Sequence, residues 1–268
     1  MAHKLKTFHL FAGGGGGILA DLLLGHLPVG ACEIEAYPRN VLLRRQSDGL
    51  LPSFPIWDDV RTLDGNAWRG TVDALCGGFP CQDISSNGKG AGIEGSRSGL
   101  WKEYARLVGE MRPRFVFAEN TPRLKTKGLT TVLKDLAEMG YDARWCVLGA
   151  WHQGAPHRRD RLFLLAHPNG SGSQQNTCHS KLRTSGHQQP PENKRIPDPS
   201  ENGKGYQGLR WWDQDPAECP ENKGSTEPLL GRVADGVANR MDRITAIGNG
   251  QVPQCAAMAF DLLSRGLI

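Results

Sequence analysis

The sequence predicts an α/β fold: a mostly parallel, Rossmann-like sheet with helices on both faces. Three observations carry that expectation. Short apolar runs of strand type recur through the first 166 residues, segments with an apolar period near 3.6 fall between them, and five consecutive glycines join the first strand to the first helix. In chain order, KTFHLF at 6–11 reads as a strand, FAGGGGGI at 11–18 as a turn, and ILADLLLG as a helix. VGACEIE at 29–35, TVDAL at 71–75 and RFVFA at 114–118 read as further strands. Between the last two, Leu100, Tyr104, Leu107, Val108 and Met111 share one helical face. Leu129, Val132, Leu133, Leu136 and Met139 repeat that spacing until Gly140 ends the helix, and RLFLLA at 161–166 closes the series.

Beyond His167 the composition changes. As far as about Asn222 the chain is dominated by Gly, Ser, Gln, Asn and Pro, with Tyr206, Leu209, Trp211 and Trp212 as its only large anchors. Such a stretch buries little apolar surface alone. Order returns near Leu229, and AAMAFDLLSRGL at 256–267 reads as a final helix. The expected organisation is a domain at 1–166, a small irregular segment at 167–228, and a return to the first domain at 229–268.

Composition narrows the function classes. Charged residues make up 22% of the 268 and hydrophobic ones 38%, ordinary values for a soluble domain. No apolar run reaches membrane-spanning length, and the N-terminus lacks a signal-peptide core, so a cytoplasmic protein with no membrane partner is expected. The seven cysteines (32, 76, 81, 146, 178, 219, 255) are odd in number and contain no CxxC pair. That pattern argues against a disulfide framework and against zinc, so reduced thiols and no metal site are expected. The net charge of +4 is a weak sign of an anionic partner.

The glycine loop sits where a nucleoside-type ligand approaches backbone in open α/β sheets, and Glu33, 20 residues after Gly13, stands where an acid takes ribose hydroxyls. A flexible surface turn is the plainer alternative. No GKS or GKT follows, which excludes an ATP P-loop. Three further features point at the same sheet edge. GGFPCQDIS at 77–85 places Cys81 just past a strand, as a nucleophile or, more commonly for an isolated cysteine, as a small buried filler. RFVFAENTPRL ends a strand with Glu119 and Asn120, which otherwise read as a helix cap or turn. APHRRDRLF sets Arg159 and Arg161 two apart at a strand start, where charges also serve to guard an edge.

In this order the motifs resemble the DNA (cytosine-5)-methyltransferase family, particularly its short phage and prophage forms. FAGGGG at 11–16, CEIE at 32–35, DDV at 58–60, GGFPCQDIS at 77–85, ENT at 119–121, HRRDR at 157–161 and AIGNGQVP at 246–253 are similar to seven of its ordered motifs. The likeness covers about 5–166 and 229–268. His157, Thr121 and Gln251 depart from the usual Gln, Val and a small or branched residue. The resemblance implies an AdoMet-dependent methyltransferase sheet with 167–228 as a short target-recognition segment. It also implies S-adenosylmethionine as cofactor, held by Phe11, Gly13, Gly15, Glu33, Ile34, Asp59, Val60, Pro80, Asn249 and Gln251. Cys81 would add to C6 of a flipped cytosine, Glu119 would bind the pyrimidine N3 and amine, and Arg159 and Arg161 would hold the base and its sugar-phosphate. The mobile-type loop DISSNGKGAGIEGSRSG after Cys81 would close over DNA.

Double-stranded DNA is the implied partner, with Arg112, Arg114, Arg123, Lys125 and Lys127 supplying phosphate contacts near Glu119. A monomer is expected, bacterial or phage-encoded, for which a cognate restriction endonuclease is not physically required. Methylation of cytosine in RNA, a catalytically silent DNA- or AdoMet-binding protein, and a non-methyltransferase Rossmann enzyme are the competing readings. The intact Cys81, Glu119 and Arg161 argue against a silent protein.

Overall fold

The computed structural model describes residues 4–80, 99–153, 155, 158–170 and 250–268. All of them belong to one compact unit, Met1–Gln174 with Asp242–Ile268; a second unit, Gln175–Met241, lies outside the described residues, as do Trp211 and Trp212.

Seven strands form one sheet: β1 Lys6–Leu10, β2 Leu27–Cys32, β3 Ile56–Trp57, β4 Ala74–Gly78, β5 Phe115–Asn120, β6 Tyr141–Leu148 and β7 Arg161–Pro168. Their spatial order is β3-β2-β1-β4-β5-β7-β6. β1 pairs in parallel with β2 and β4, as do β2 with β3 and β4 with β5, whereas β7 runs antiparallel to both β5 and β6. Among the described residues, the α-helices are α1 Gly16–Leu24, α2 Ala36–Ser47, α3 Gly99–Met111, α4 Leu124–Lys127, α5 Leu129–Glu138 and α6 Pro253–Ser264.

The side-chain period of two along each strand sorts the core into two layers. On one face Phe8, Leu10, Leu75, Val116, Ala118, Leu162 and Leu164 pack against α3 and α5 through Trp101, Tyr104, Leu107, Met111, Val132 and Leu136. On the other, Ala74, Cys76, Phe115, Phe117, Phe163 and Leu165 meet Cys255, Ala256, Ala259, Phe260 and Leu263 of α6. Central β5 is buried along its whole length, so Phe115–Ala118 reads as an unbroken apolar run rather than an alternation. Tyr104, fully buried, keeps its hydroxyl within hydrogen-bond reach of the Leu75 and Phe117 carbonyls.

Several boundaries differ from the sequence reading. The third predicted strand lies at 74–78 rather than 71–75, because Thr71 is held in the turn after Trp68, to whose carbonyl both its N and its Oγ1 donate. Helix α2 and strands β3 and β6 are additional. α2 buries only Pro38 and Leu42, so it carries little apolar periodicity. β6 is an edge strand whose middle residues are all half-exposed.

Candidate active site

The parallel strands β1, β2, β4 and β5 end at one edge of the sheet, and loops leaving such an edge build the sites of open α/β folds. Because β7 runs the other way, its first residue, Arg161, arrives at that same edge. The antiparallel direction brings a strand-start cation beside a strand-end carboxylate, which a parallel strand could not do.

Glu119 and Arg161 meet there. Arg161 Nε lies 2.9 Å from Glu119 Oε1. The Glu119 side chain is 11% exposed and that of Arg161 25%, so the ion pair is largely withdrawn from water. Burial pushes the Glu119 carboxyl above its ordinary value, and the charges of Arg161 and then Arg159 offset part of that rise. Arg159, just ahead of β7 at φ 38, donates a hydrogen bond to the Gly250 carbonyl and thereby ties the β7 entry to the segment before α6. Asn120, next along β5, donates through Nδ2 to the Phe79 carbonyl at 3.2 Å, while its Oδ1 accepts from Thr121 N at 2.7 Å. Phe79 is itself packed 5.1 Å from Trp101. These contacts fasten the segment Phe79–Pro80, which leads directly into position 81, to the end of β5. Cys81, Asn249 and His157 lie outside the described residues, as does the loop that follows Cys81.

The glycine loop and Glu33 form the second half of the edge. Gly15, at φ 93, starts α1 in a left-handed conformation that a side chain would strain. Gly13 N donates to Glu33 Oε2 at 2.6 Å, and Glu35 N donates to Oε1 at 2.8 Å. Burial nevertheless leaves the Glu33 carboxyl above its ordinary value. A Cβ placed on Gly13 or Gly14 would meet nothing within 4 Å, so open space faces the backbone there. Ile34 is 55% exposed beside it, Asp59 is gripped by Arg61 at 2.7 Å, and Val60 is buried beneath. Phe11, at φ 53, turns its ring toward Tyr104. A backbone cradle, an acid and an exposed aliphatic together fit a nucleoside with a ribose and an apolar base face.

One expectation about charge does not hold. Arg112 and Arg114 precede β5, at the opposite end of the strand from Glu119, roughly 17 Å away at strand rise. They donate instead to the Met139 and Leu267 carbonyls. Closeness in sequence to a strand's start is distance from its end. Arg123, Lys125 and Lys127 do follow the strand's C-terminal end.

Sequence reasoning also passed over a buried polar group beneath the glycine loop. Asp21 of α1 receives hydrogen bonds from Thr7 Oγ1 and pairs with His9 Nε2, both at 2.5 Å, while His26 Nδ1 stands 3.7 Å away. Burial raises the Asp21 carboxyl, but the charge of His9 and the hydrogen bonds it accepts outweigh this and hold it at about 2. Cys76 lies close enough that His9, Asp21 and Cys76 present donor atoms within 4.8 Å of one another. The period of two along β1 sets Thr7 and His9 on one face, and nothing local marks Asp21 as their partner.

A family model described as "C-5 cytosine-specific DNA methylase" matches residues 5–239. The chain belongs to the C-5 cytosine-specific DNA methylase family. Among its relatives, the type II methyltransferase M.CviJI of Paramecium bursaria Chlorella virus IL3A is 33% identical over 165 residues, 61% of this chain and 43% of that one. M.Eco47II of Escherichia coli is 34% identical over 171 residues (60% and 39%), and M.HhaI of Haemophilus parahaemolyticus 32% over 170 (62% and 50%). The chain thus spans half or less of the length of these curated relatives. In solved structures, it matches a candidate DNA modification methyltransferase encoded within an E. coli prophage, with TM-score 0.51 and 27% identity over 62% of this chain and 47% of that one. Spodoptera frugiperda DNMT2, at 19% identity and TM-score 0.51, covering 62% and 51%, shares the fold. The methylase sheet is therefore of the α/β, Rossmann-like type that the glycine loop and strand spacing predict.

Proposed function

We propose that this methylase-family chain transfers a methyl group to C5 of a cytosine in double-stranded DNA. The observation that carries the reading is the buried Glu119–Arg161 pair at the edge where β4 leads toward Cys81. Cytosine C5 is a poor nucleophile and must be activated by addition at C6. Cys81 is the group for that addition. The four described cysteines do not suit it: burial pushes Cys32 and Cys146 up to about 12 and raises Cys76 and Cys255 as well, so each persists as a thiol.

Glu119 faces the pyrimidine N3 and exocyclic amine. A carboxyl with a raised proton affinity can share a proton with N3, stabilising the charge that builds as the thiolate adds. Arg161 keeps that carboxyl oriented, and Arg159 adds positive charge beside it. A base inside a duplex reaches no such recess, so the target cytosine leaves the stack, at a cost of a few kcal/mol. Loss of the C5 proton then restores the double bond and releases the Cys81 thiolate.

S-adenosylmethionine, when bound, supplies the electrophilic methyl group. Gly13, Gly15, Glu33, Ile34, Asp59 and Val60 would hold it at the open face of the glycine loop, with Phe11, Pro80 and Asn249 completing the set. Residues 167–228 would serve as the target-recognition segment; the seven Lys/Arg within 167–230 against eight Asp/Glu leave no basic excess there for phosphate contacts.

Bisulfite sequencing of a plasmid co-expressed with the protein tests the reading. Protected cytosines in one fixed short context are expected with wild type and none with Cys81→Ser, whose S-adenosylmethionine binding persists. A wild-type plasmid free of 5-methylcytosine refutes it.

A further inference from the structure

Gln251 has a position that the cofactor alone does not explain. Thr7, His9, Cys76, Phe117, Glu119, Phe163 and Arg161 lie along one face of the sheet, as the pairings His9 with Cys76, Cys76 with Phe117, and Glu119 with Phe163 require. Gln251, two residues ahead of α6, lies over that face between its two polar groups. Its amide stands near the Glu119 carboxyl and offsets part of the rise that burial gives that carboxyl. A Cβ built on Gly78 would sit 2.6 Å from Glu119 Oε2 and 3.3 Å from Gln251 Nε2, so the amide nitrogen and the oxygen that Arg161 does not take both border the space left by Gly78. The other end of the amide is also placed. A Cβ on Gly17 would sit 2.8 Å from Gln251 Oε1 and 3.1 Å from His9 Nδ1, and one on Gly16 would collide with the Gln251 carbonyl oxygen. His9 is in turn held through Nε2 by Asp21.

The chemistry sets the direction of this amide. A carboxyl oxygen accepts, so the amide turns its N–H side to Glu119, and its oxygen lies on the side of Gly17 and His9. The five-glycine run thereby divides its labour. Its early members face open space, where a ligand approaches, whereas Gly16 and Gly17 are bare because Gln251 fills the room a side chain would need.

We propose that Gln251 is a positioning residue for Glu119, bracing the carboxyl opposite Arg161 and anchored itself against the last two glycines of the loop and the His9–Asp21 pair. The inference rests on the reading of Glu119 as the group that binds the base. The sequence likeness places Gln251 among cofactor residues; the structure assigns its side chain to the carboxyl instead. Among the described residues, the charged groups facing Glu119 are Arg161 of β7 and Arg159 ahead of it; β4 contributes Gly78, and the α6 side contributes the neutral Gln251.

Removing the amide donor should raise the proton affinity of Glu119. The test titrates the Glu119 carboxyl by its infrared band, identified by subtraction of Glu119→Gln, in wild type and in Gln251→Met. The midpoint should move up by about one pH unit, tenfold in proton affinity. The acid-side limb of kcat for methyl transfer should move the same way, while affinity for S-adenosylmethionine stays within about twofold. Gln251→Asn, which keeps the amide but withdraws it by one methylene, should shift the midpoint in the same direction and covers a folding failure of the methionine variant. An unmoved midpoint in a folded variant overturns the proposal, as does a tenfold loss of S-adenosylmethionine affinity with the midpoint unmoved. A shifted midpoint in a protein that methylates no cytosine keeps the brace and removes the proposed function.

Discussion

Arg161→Met isolates the electrostatics of the candidate site, because methionine retains most of the apolar stem and removes only the charge. Breaking a buried pair on one side leaves an uncompensated charge, a loss that runs to 3–5 kcal/mol where both groups are fully desolvated. Here the loss has a ceiling. Glu119 escapes by taking a proton, and neutralising a carboxyl of ordinary value 4.5 at pH 7 costs about 3.4 kcal/mol. Because Glu119 is already raised in the folded protein, the electrostatic loss must fall below that figure, and Arg159 and the quarter-exposed Arg161 side chain lower it further. About 1–3 kcal/mol at pH 7 is expected. At pH 5 the same ceiling drops to under about 1 kcal/mol, since the proton is then nearly free to bind. Urea unfolding of wild type and variant at both pH values measures the difference. An equal loss at pH 5 and pH 7, or one well above 3.4 kcal/mol at pH 7, would show that Arg161 works through packing and would refute the charge argument.

Two further stability measurements follow from the face of the sheet that α1 and α6 cover. Asp21 has a depressed folded value, about 2 against 3.8, so its contribution is present above pH 3.8 and is lost as pH falls through about 2. Asp21→Asn should therefore cost about 2 kcal/mol at neutral pH and flatten the acid limb of stability between pH 4 and 2, as followed by circular dichroism; an acid limb identical to wild type would count against the network. Phe260→Ala removes a ring that is 3% exposed and meets His26, Phe115 and Phe117 edge to face, so a loss of about 3–5 kcal/mol in urea is expected, and one under 1 kcal/mol would mean that α6 packs otherwise.

The candidate site was legible where chemistry is written locally. The Glu-Asn pair and the strand that carries it needed only the apolar run ahead of them, and Glu33 was reachable from its distance to the glycines. Arg112 and Arg114 misled because they adjoin the strand at its wrong end; direction along a strand, rather than separation in sequence, decides which sheet edge a residue meets. Helix α2 escaped because its two buried residues leave no stripe to detect, and β6 because an edge strand alternates weakly. Asp21 looked like an ordinary polar position in an apolar helix, since its partners Thr7 and His9 lie on a different element.

By itself the sequence determined the alternation of strands and helices, the glycine turn, and the order of the motifs that mark a cytosine methylase. Those are properties of neighbouring residues: period, turn chemistry and composition act over a few positions. Only the tertiary structure decided that Arg161 meets Glu119, that Asn120 ties down the approach to Cys81, and that Gln251 lies between the carboxyl and the glycine loop. The first depends on the reversed direction of β7, the second on β4 and β5 lying side by side, and the third on α6 packing over the sheet, all settled by how distant faces bury one another.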